Sequence, residues 1–334
     1  MRSKLSKFIL AAALLLPTLA AAEPVTLKLS FFTSDRSLIY QTLIHPFVDA
    51  VNREGKGIVD IEVFFSGAIS GVQSEQPQLV SDGTADLALI VPERTPDRFP
   101  DTAIIELPGL FKDSVEATRV YQRLAERGVL AGYQDYYVIG AFASEPEGIN
   151  SRKPIASVAD LKGLKVRVNN NVEAEVLERL GAIPVLLAIN KTTEAVSQGM
   201  IEAAAFPPSM LFEFGIGRVT SNHFMMGLGG VPVALVMNRK KFESLPAAAR
   251  AIIEKNAGEK FSIAAVRQLS LHDKQVLQQL QSDSRRKVVF PSTSDAKAIQ
   301  AAFDAITDQY VKSSGHNRAL LAAVKREIAQ VGGE

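Results

Sequence analysis

The feature that most restricts what this chain can fold into is an alternation of short apolar runs with segments of helical period across residues 25–91. Residues 25–32 read as a strand. Ile39, Leu43, Phe47 and Val51 then recur every four residues, as one helix face does, with Pro46 placed to kink it. Gly55 and Gly57 interrupt the chain before a second strand at 58–65, and a loop over 67–71 and a helical stretch to Asp82 lead to a third at 86–91. Strands joined by helical crossovers must run parallel, so the pattern implies a sheet covered on both faces.

A second unit of the same kind follows. Residues 137–142 read as a strand, and Ser157 with Asp160 forms a capping-box signature. A strand at 164–168 runs into Asn169, Asn170 and Asn171, which can cap a helix over 172–180 that Gly181 ends. Asn190 is placed to cap a further helix ending near Gly199, and 201–205 adds a strand. Long polar-faced helices over 245–280 and from 295 to the end would brace both units. The expected fold is therefore a two-lobe α/β hinged clamp, with mixed or parallel sheets, helices on both faces and long bracing helices. The lobes are expected to be discontinuous: 23–143 with 232–272, and 144–231 with 273–334. A two-domain enzyme has the same outline, because fold alone does not assign function.

Arg2, Lys4 and Lys7 precede an apolar run over 8–19 and small residues at 20–22, which is the pattern of a secretory signal covering residues 1–22. Removing those three cations moves the formal charge from +1 to −2, which leaves no electrostatic footprint for nucleic acid. No later run has the roughly 18 apolar residues of a membrane span. With no cysteine, disulfides and a lipid-bearing cysteine are both excluded. A periplasmic protein, not inserted in the membrane after signal cleavage and monomeric, is the expectation. At 334 residues and 47% hydrophobic content, the chain can fill two cores.

Little in the sequence points to catalysis. His45, His223, His272 and His316 lack ligand spacing, so no metal site is expected. The glycines at 215 and 217 and at 227, 229 and 230 follow no strand in the manner of a dinucleotide fingerprint and read as turns, and no phosphate loop or nucleophile elbow is present. Neither a cofactor nor an enzymatic activity is expected. The one positive signal is Lys165-Val166-Arg167-Val168-Asn169-Asn170-Asn171, where a strand delivers an arginine toward its carboxyl end just before a helix start. Ligands of open α/β sheets sit at such strand ends. A guanidinium fork fits a carboxylate, and a helix start offers free N–H groups to an anion. A solvated arginine on a sheet edge has the same spacing.

Several segments carry a resemblance in order and spacing. They are the Gly83-Thr84-Ala85-Asp86 turn, the stretch from Ile105 to Phe111, Ser151-Arg152-Lys153-Pro154, the Asp160 to Val168 segment, and Val236-Met237-Asn238-Arg239-Lys240. Together they resemble the dicarboxylate-type substrate-binding proteins of tripartite ATP-independent periplasmic (TRAP) transporters over nearly all of the mature length. The resemblance implies a clamp whose arginine, here Arg167, holds a ligand carboxylate, with Asn170 as a polar contact. It also implies docking on small and large membrane permease subunits without ATP. A binding protein of an ATP-driven importer is the alternative. Where relatives carry a pocket asparagine this chain has Phe206, Val91 stands where some have an acid, and near Pro146 the family's second arginine is missing although Glu145 and Glu147 are close. With Phe32 at the end of the first strand, these positions imply a pocket with one cation and more apolar surface. Such a pocket suits a small monocarboxylate with an apolar or aromatic body. Replacing Arg167 by Ala is expected to weaken carboxylate binding and leave the fold intact.

Overall fold

The computed structural model describes residues 23–332, so the expected signal segment lies outside the described residues. Its strands are β1 (Val25–Ser30), β2 (Val59–Phe64), β3 (Leu87–Ile90), β4 (Tyr136–Ala143), β5 (Glu147–Ser151), β6 (Lys165–Val168), β7 (Ile183–Leu186), β8 (Ala203–Phe206), β9 (Asn222–Leu228), β10 (Pro232–Asn238) and β11 (Lys287–Val289). They form two sheets, one ordered β2-β1-β3-β10-β4 and the other β11-β9-β5-β8-β6-β7.

Both sheets are mixed, for the same reason. In the first, β1 runs parallel to β2 and β3, as the crossover pattern requires, but β10 enters antiparallel between β3 and β4. In the second, β6 runs parallel to β7 and β8 while β5 runs antiparallel to β8 and β9. The first sheet draws its strands from residues 25–143 and 232–238, and the second from 147–228 and 287–289. The chain thus passes between the sheets at 144–146 and again at 229–231.

These two passages lie side by side. Ser144 N–H donates to the Val231 carbonyl at 3.1 Å, and Val231 N–H to Ser144 Oγ at 2.9 Å. Glycine is needed here for close approach: a Cβ on Gly229 would fall 1.9 Å from the Glu106 carbonyl oxygen, and one on Gly230 2.4 Å from that of Ser144. Of the glycines read as turns, Gly229 and Gly230 are tight crossing points between the sheets, whereas Gly215 does sit in a turn. The helix Glu259–Ser282 adds a third connection about 36 Å long. Ala265, in its amino-terminal half, packs in the core of the first sheet, whereas Leu269, Val276 and Leu280 pack with Ala204 and Phe206 of the second.

Local differences from the sequence reading have simple causes. Pro46 does not kink the helix; a π-helical turn, Tyr40–Ile44, leads into the helix His45–Glu54 and places Pro46 in its first turn, where a missing N–H is harmless. Asn190 is not a cap, since the helix Ile189–Ser197 begins after Ala188 and its start has no side-chain cap bond. The 245–280 stretch divides at Gly258, whose φ of 84° suits glycine and which precedes the long helix. Ser157 and Asp160 do form a capping box, but over a short 3-10 turn, Val158–Leu161. Among the described residues no helix is long and apolar enough to cross a membrane, and no cluster of three or more His, Asp or Glu could hold a metal ion.

Candidate functional site

A cavity of about 100 Å³ lies between the sheets. Strand ends build it. Phe32 follows β1, Val91, Glu93 and Arg94 follow β3, Asn169 follows β6, and Phe206 closes β8. Phe142 near the end of β4, Ser144 of the first passage and Val231 of the second complete one wall; Met210, Phe214 and Leu269 complete another. The volume is of the same order as the roughly 150 Å³ apolar cavity that accepts one benzene molecule.

Of the residues singled out from sequence, Phe32, Val91 and Phe206 line this cavity. Asn170 does not. It caps the helix Asn171–Arg179, its Oδ1 accepting from Glu173 N–H at 2.8 Å, and lines an adjoining cleft of about 340 Å³ that shares Glu93, Arg94 and Asn169 with the cavity. Glu145 accepts from Ser114 Oγ at 2.6 Å and lines a different pocket beside Asp273.

Arg167 is fully buried and sits beneath Phe206 rather than on the cavity wall. Its Cζ lies 4.8 Å from the Phe206 ring centroid, a cation–π contact. Nε donates to the Leu187 carbonyl at 3.0 Å and Nη1 to the Ala205 carbonyl at 3.3 Å. Nη2 has no hydrogen-bond partner among the described residues. A buried guanidinium that keeps one arm unpaired is costly.

The pocket does not hold a single cation. Arg94, on the 3-10 turn Pro92–Arg94, lines it as well, 3.5 Å from Glu93, and its Nε also lacks a partner among the described residues. Its position at the carboxyl end of β3 was a usable signal. Glu147 opens β5 and lines the cavity too, both of its oxygens 2.9 Å from Asn169 Nδ2. Behind them Glu173 accepts from Asn169 N–H at 2.8 Å, and Asn170 Nδ2 reaches both Glu93, at 3.3 Å, and Glu173, at 3.2 Å.

Burial dominates the electrostatics of this cluster. It holds Glu147 well above the usual carboxylate range, reinforced by Glu173, and Glu106 likewise, reinforced by Glu93. Burial followed by the charge of Glu93 pushes Glu173 up to about 7. Burial raises Glu93 as well, against the pull of Arg94. Burial lowers Arg167, while Glu147 and Glu173 oppose that shift. Arginine stays protonated regardless.

The profile of the bacterial extracellular solute-binding proteins, family 7, matches residues 29–314. The chain belongs to this family, the TRAP type. As a family 7 protein it is 26% identical over 244 residues to the C4-dicarboxylate-binding periplasmic protein DctP of Rhodobacter capsulatus, covering 72% of this chain and 73% of that one. A solved structure of a TRAP solute-binding protein from an unidentified marine microbe, described as specific for aromatic acid ligands and holding 3-hydroxybenzoate, superposes with a TM-score of 0.86 at 25% identity. The match covers 92% of this chain and 99% of that one. The fold is shared as well with a TRAP solute-binding protein of Rhodoferax ferrireducens that holds copurified benzoate, at a TM-score of 0.84, 24% identity and 92% and 98% coverage. The two-lobe architecture of this solute-binding protein is thereby established.

Proposed function

We propose that this protein is a periplasmic receptor that captures a small aromatic monocarboxylate between its sheets and delivers it to a two-component TRAP permease, catalysing nothing. The observation that carries the reading is the cavity itself, walled by Phe32, Phe142, Phe206 and Phe214, with Arg94 on its polar side and Arg167 one layer beneath. An aromatic ring burying roughly 150 Å² there gains about 4 kcal/mol at ~25 cal/mol per Å². Its carboxylate would meet a guanidinium that has an arm to spare. The marine relative's 3-hydroxybenzoate is in keeping with this ligand class. Residues 23–143 with 232–272 and residues 144–231 with 273–334 would move as two lobes about the paired passages, after loss of residues 1–22 as a signal.

One observation favours a second reading, a short dicarboxylate: there are two guanidiniums, not one. Glu93 and Glu147 line the same cavity, however, so each ligand charge added there has to be offset by a proton on the acids, and a second ligand carboxylate is costly to bury. A thermal-shift series followed by calorimetry with benzoate, 3-hydroxybenzoate and succinate separates the two, since a ligand that binds only the folded state raises its melting temperature. The aromatic acids should stabilise the protein and succinate should not; the opposite ranking removes the monocarboxylate reading. Uptake reconstituted with membrane partners should need an ion gradient, and a requirement for an ATPase subunit would transfer the protein to the ATP-driven class.

A further inference from the structure

Four carboxyl groups, on Glu93, Glu106, Glu147 and Glu173, and two guanidiniums, on Arg94 and Arg167, lie around the polar end of the cavity. All four glutamates and Arg167 are buried. Full ionisation would leave a net charge of −2 away from water. Buried carboxylates without a cation beside them shift toward the neutral form, which favours protons on those of the four acids that lack an ion pair.

Hydrogen bonding indicates where they reside. Glu93 has Arg94 beside it at 3.5 Å. Glu173 accepts a backbone N–H and two asparagine amides at the start of a helix, a place that favours an anion. Glu147 has no ion pair within 4 Å among the described contacts and only the Asn169 amide between its oxygens. Arg167, Glu173 and Asn169 face it from β6 and the helix after it, and Glu93 and Arg94 from the turn after β3. Asp273 and Lys274 of the long helix, with Glu145 of its own segment, line the pocket on its far side. Glu106 lies beyond Glu93 on the adjoining cleft.

Building on the proposed carboxylate ligand, we propose that Glu147 is a specificity-determining contact: it meets the acid as an un-ionised carboxyl, donating a hydrogen bond to the ligand carboxylate, while a proton taken up by the Glu93–Glu173 pair balances the entering charge. The raised affinities of Glu147 and Glu173 for protons agree with this assignment. A monoanion needs at most one added proton and a dianion two, so the cluster discriminates by charge. The proton linkage makes binding weaken as pH rises, by at most about tenfold per pH unit for one proton.

Titration calorimetry of the wild-type protein with benzoate, in phosphate and in Tris across pH 6.5 to 8, reads the number of protons exchanged. Net uptake of up to one proton per ligand supports the assignment. No net exchange, or release, overturns it while leaving carboxylate binding in place. Glu147→Leu removes the donor without adding charge, so at pH 7.5 it should bind benzoate at least about tenfold more weakly than wild type, whereas Glu147→Gln keeps a donor and should recover part of that loss; unchanged affinity in Glu147→Leu overturns the contact. Tightening of tenfold or more would mean that Glu147 is ionised and repels the acid, which also overturns the proposal. No binding of either benzoate or 3-hydroxybenzoate to wild-type protein removes the aromatic-acid reading itself, and this inference with it.

Discussion

Full burial gives Arg167 a structural role that the sequence reading did not assign to it, and Arg167→Ala measures that role. The substitution removes charge-assisted hydrogen bonds to the Leu187 and Ala205 carbonyls and the cation–π contact with Phe206. Two such bonds at the low end of ~1.5 kcal/mol each, with about 1 kcal/mol from the desolvated ring contact, give about 4 kcal/mol. Breaking a buried charge arrangement by deleting one partner costs about 3–5 kcal/mol, the same range. Urea unfolding at pH 7.5 should therefore show a loss of about 3–5 kcal/mol, with Arg167→Lys falling between, because lysine keeps the charge but not the fork. Arg167 favours ionised Glu147 and Glu173, so its removal raises their pKa further. The stability loss should then be smaller at pH 5.5, below the value of about 7 to which Glu173 is pushed, than at pH 8. A loss under 1 kcal/mol with cooperative unfolding would refute this account of the guanidinium.

Phe206→Asn restores a polar group beside Arg167 and removes an aromatic wall, so benzoate affinity should fall at least tenfold and the preference should move toward polar acids; an unchanged ranking by calorimetry would assign Phe206 to packing alone. His223 is fully buried, 2.7 Å from Asn150 Oδ1, and burial with the nearby Arg286 lowers its pKa from 6.5 to about 4. The folded state then binds fewer protons than the unfolded chain, so stability present above pH 6.5 is lost as pH falls through about 4. The total is about 3.5 kcal/mol at ~1.4 kcal/mol per pKa unit. His223→Gln should flatten the slope of stability between pH 7 and 4.5, and an unchanged slope would move the acid sensitivity elsewhere.

The sequence disclosed what local periodicity encodes. Residues 25–91 announced parallel pairing because helical crossovers permit nothing else, and Asn170 and Gly181 bracketed a helix by cap chemistry alone. Strands β5, β9 and β10 carried no comparable signal: they pair antiparallel with partners distant in sequence. The site divides the same way. Phe32, Val91 and Phe206 sit at strand ends, where ligands of such sheets gather, and all reach the cavity. Arg94, which the resemblance does not mark, is brought to the cavity only by the turn that follows β3. Glu147 and Glu173 are 26 residues apart, and only the return of β5 beside β8, which itself lies against β6, makes them one buried cluster.

The most direct test of the account is a crystal structure of the wild-type protein grown with 3-hydroxybenzoate. The ring should lie in the cavity between Phe32 and Phe206, with its carboxylate within about 3.2 Å of a guanidinium nitrogen of Arg94 or Arg167. An acid bound outside this cavity, or bound inside it with its carboxylate turned away from both arginines, would contradict it.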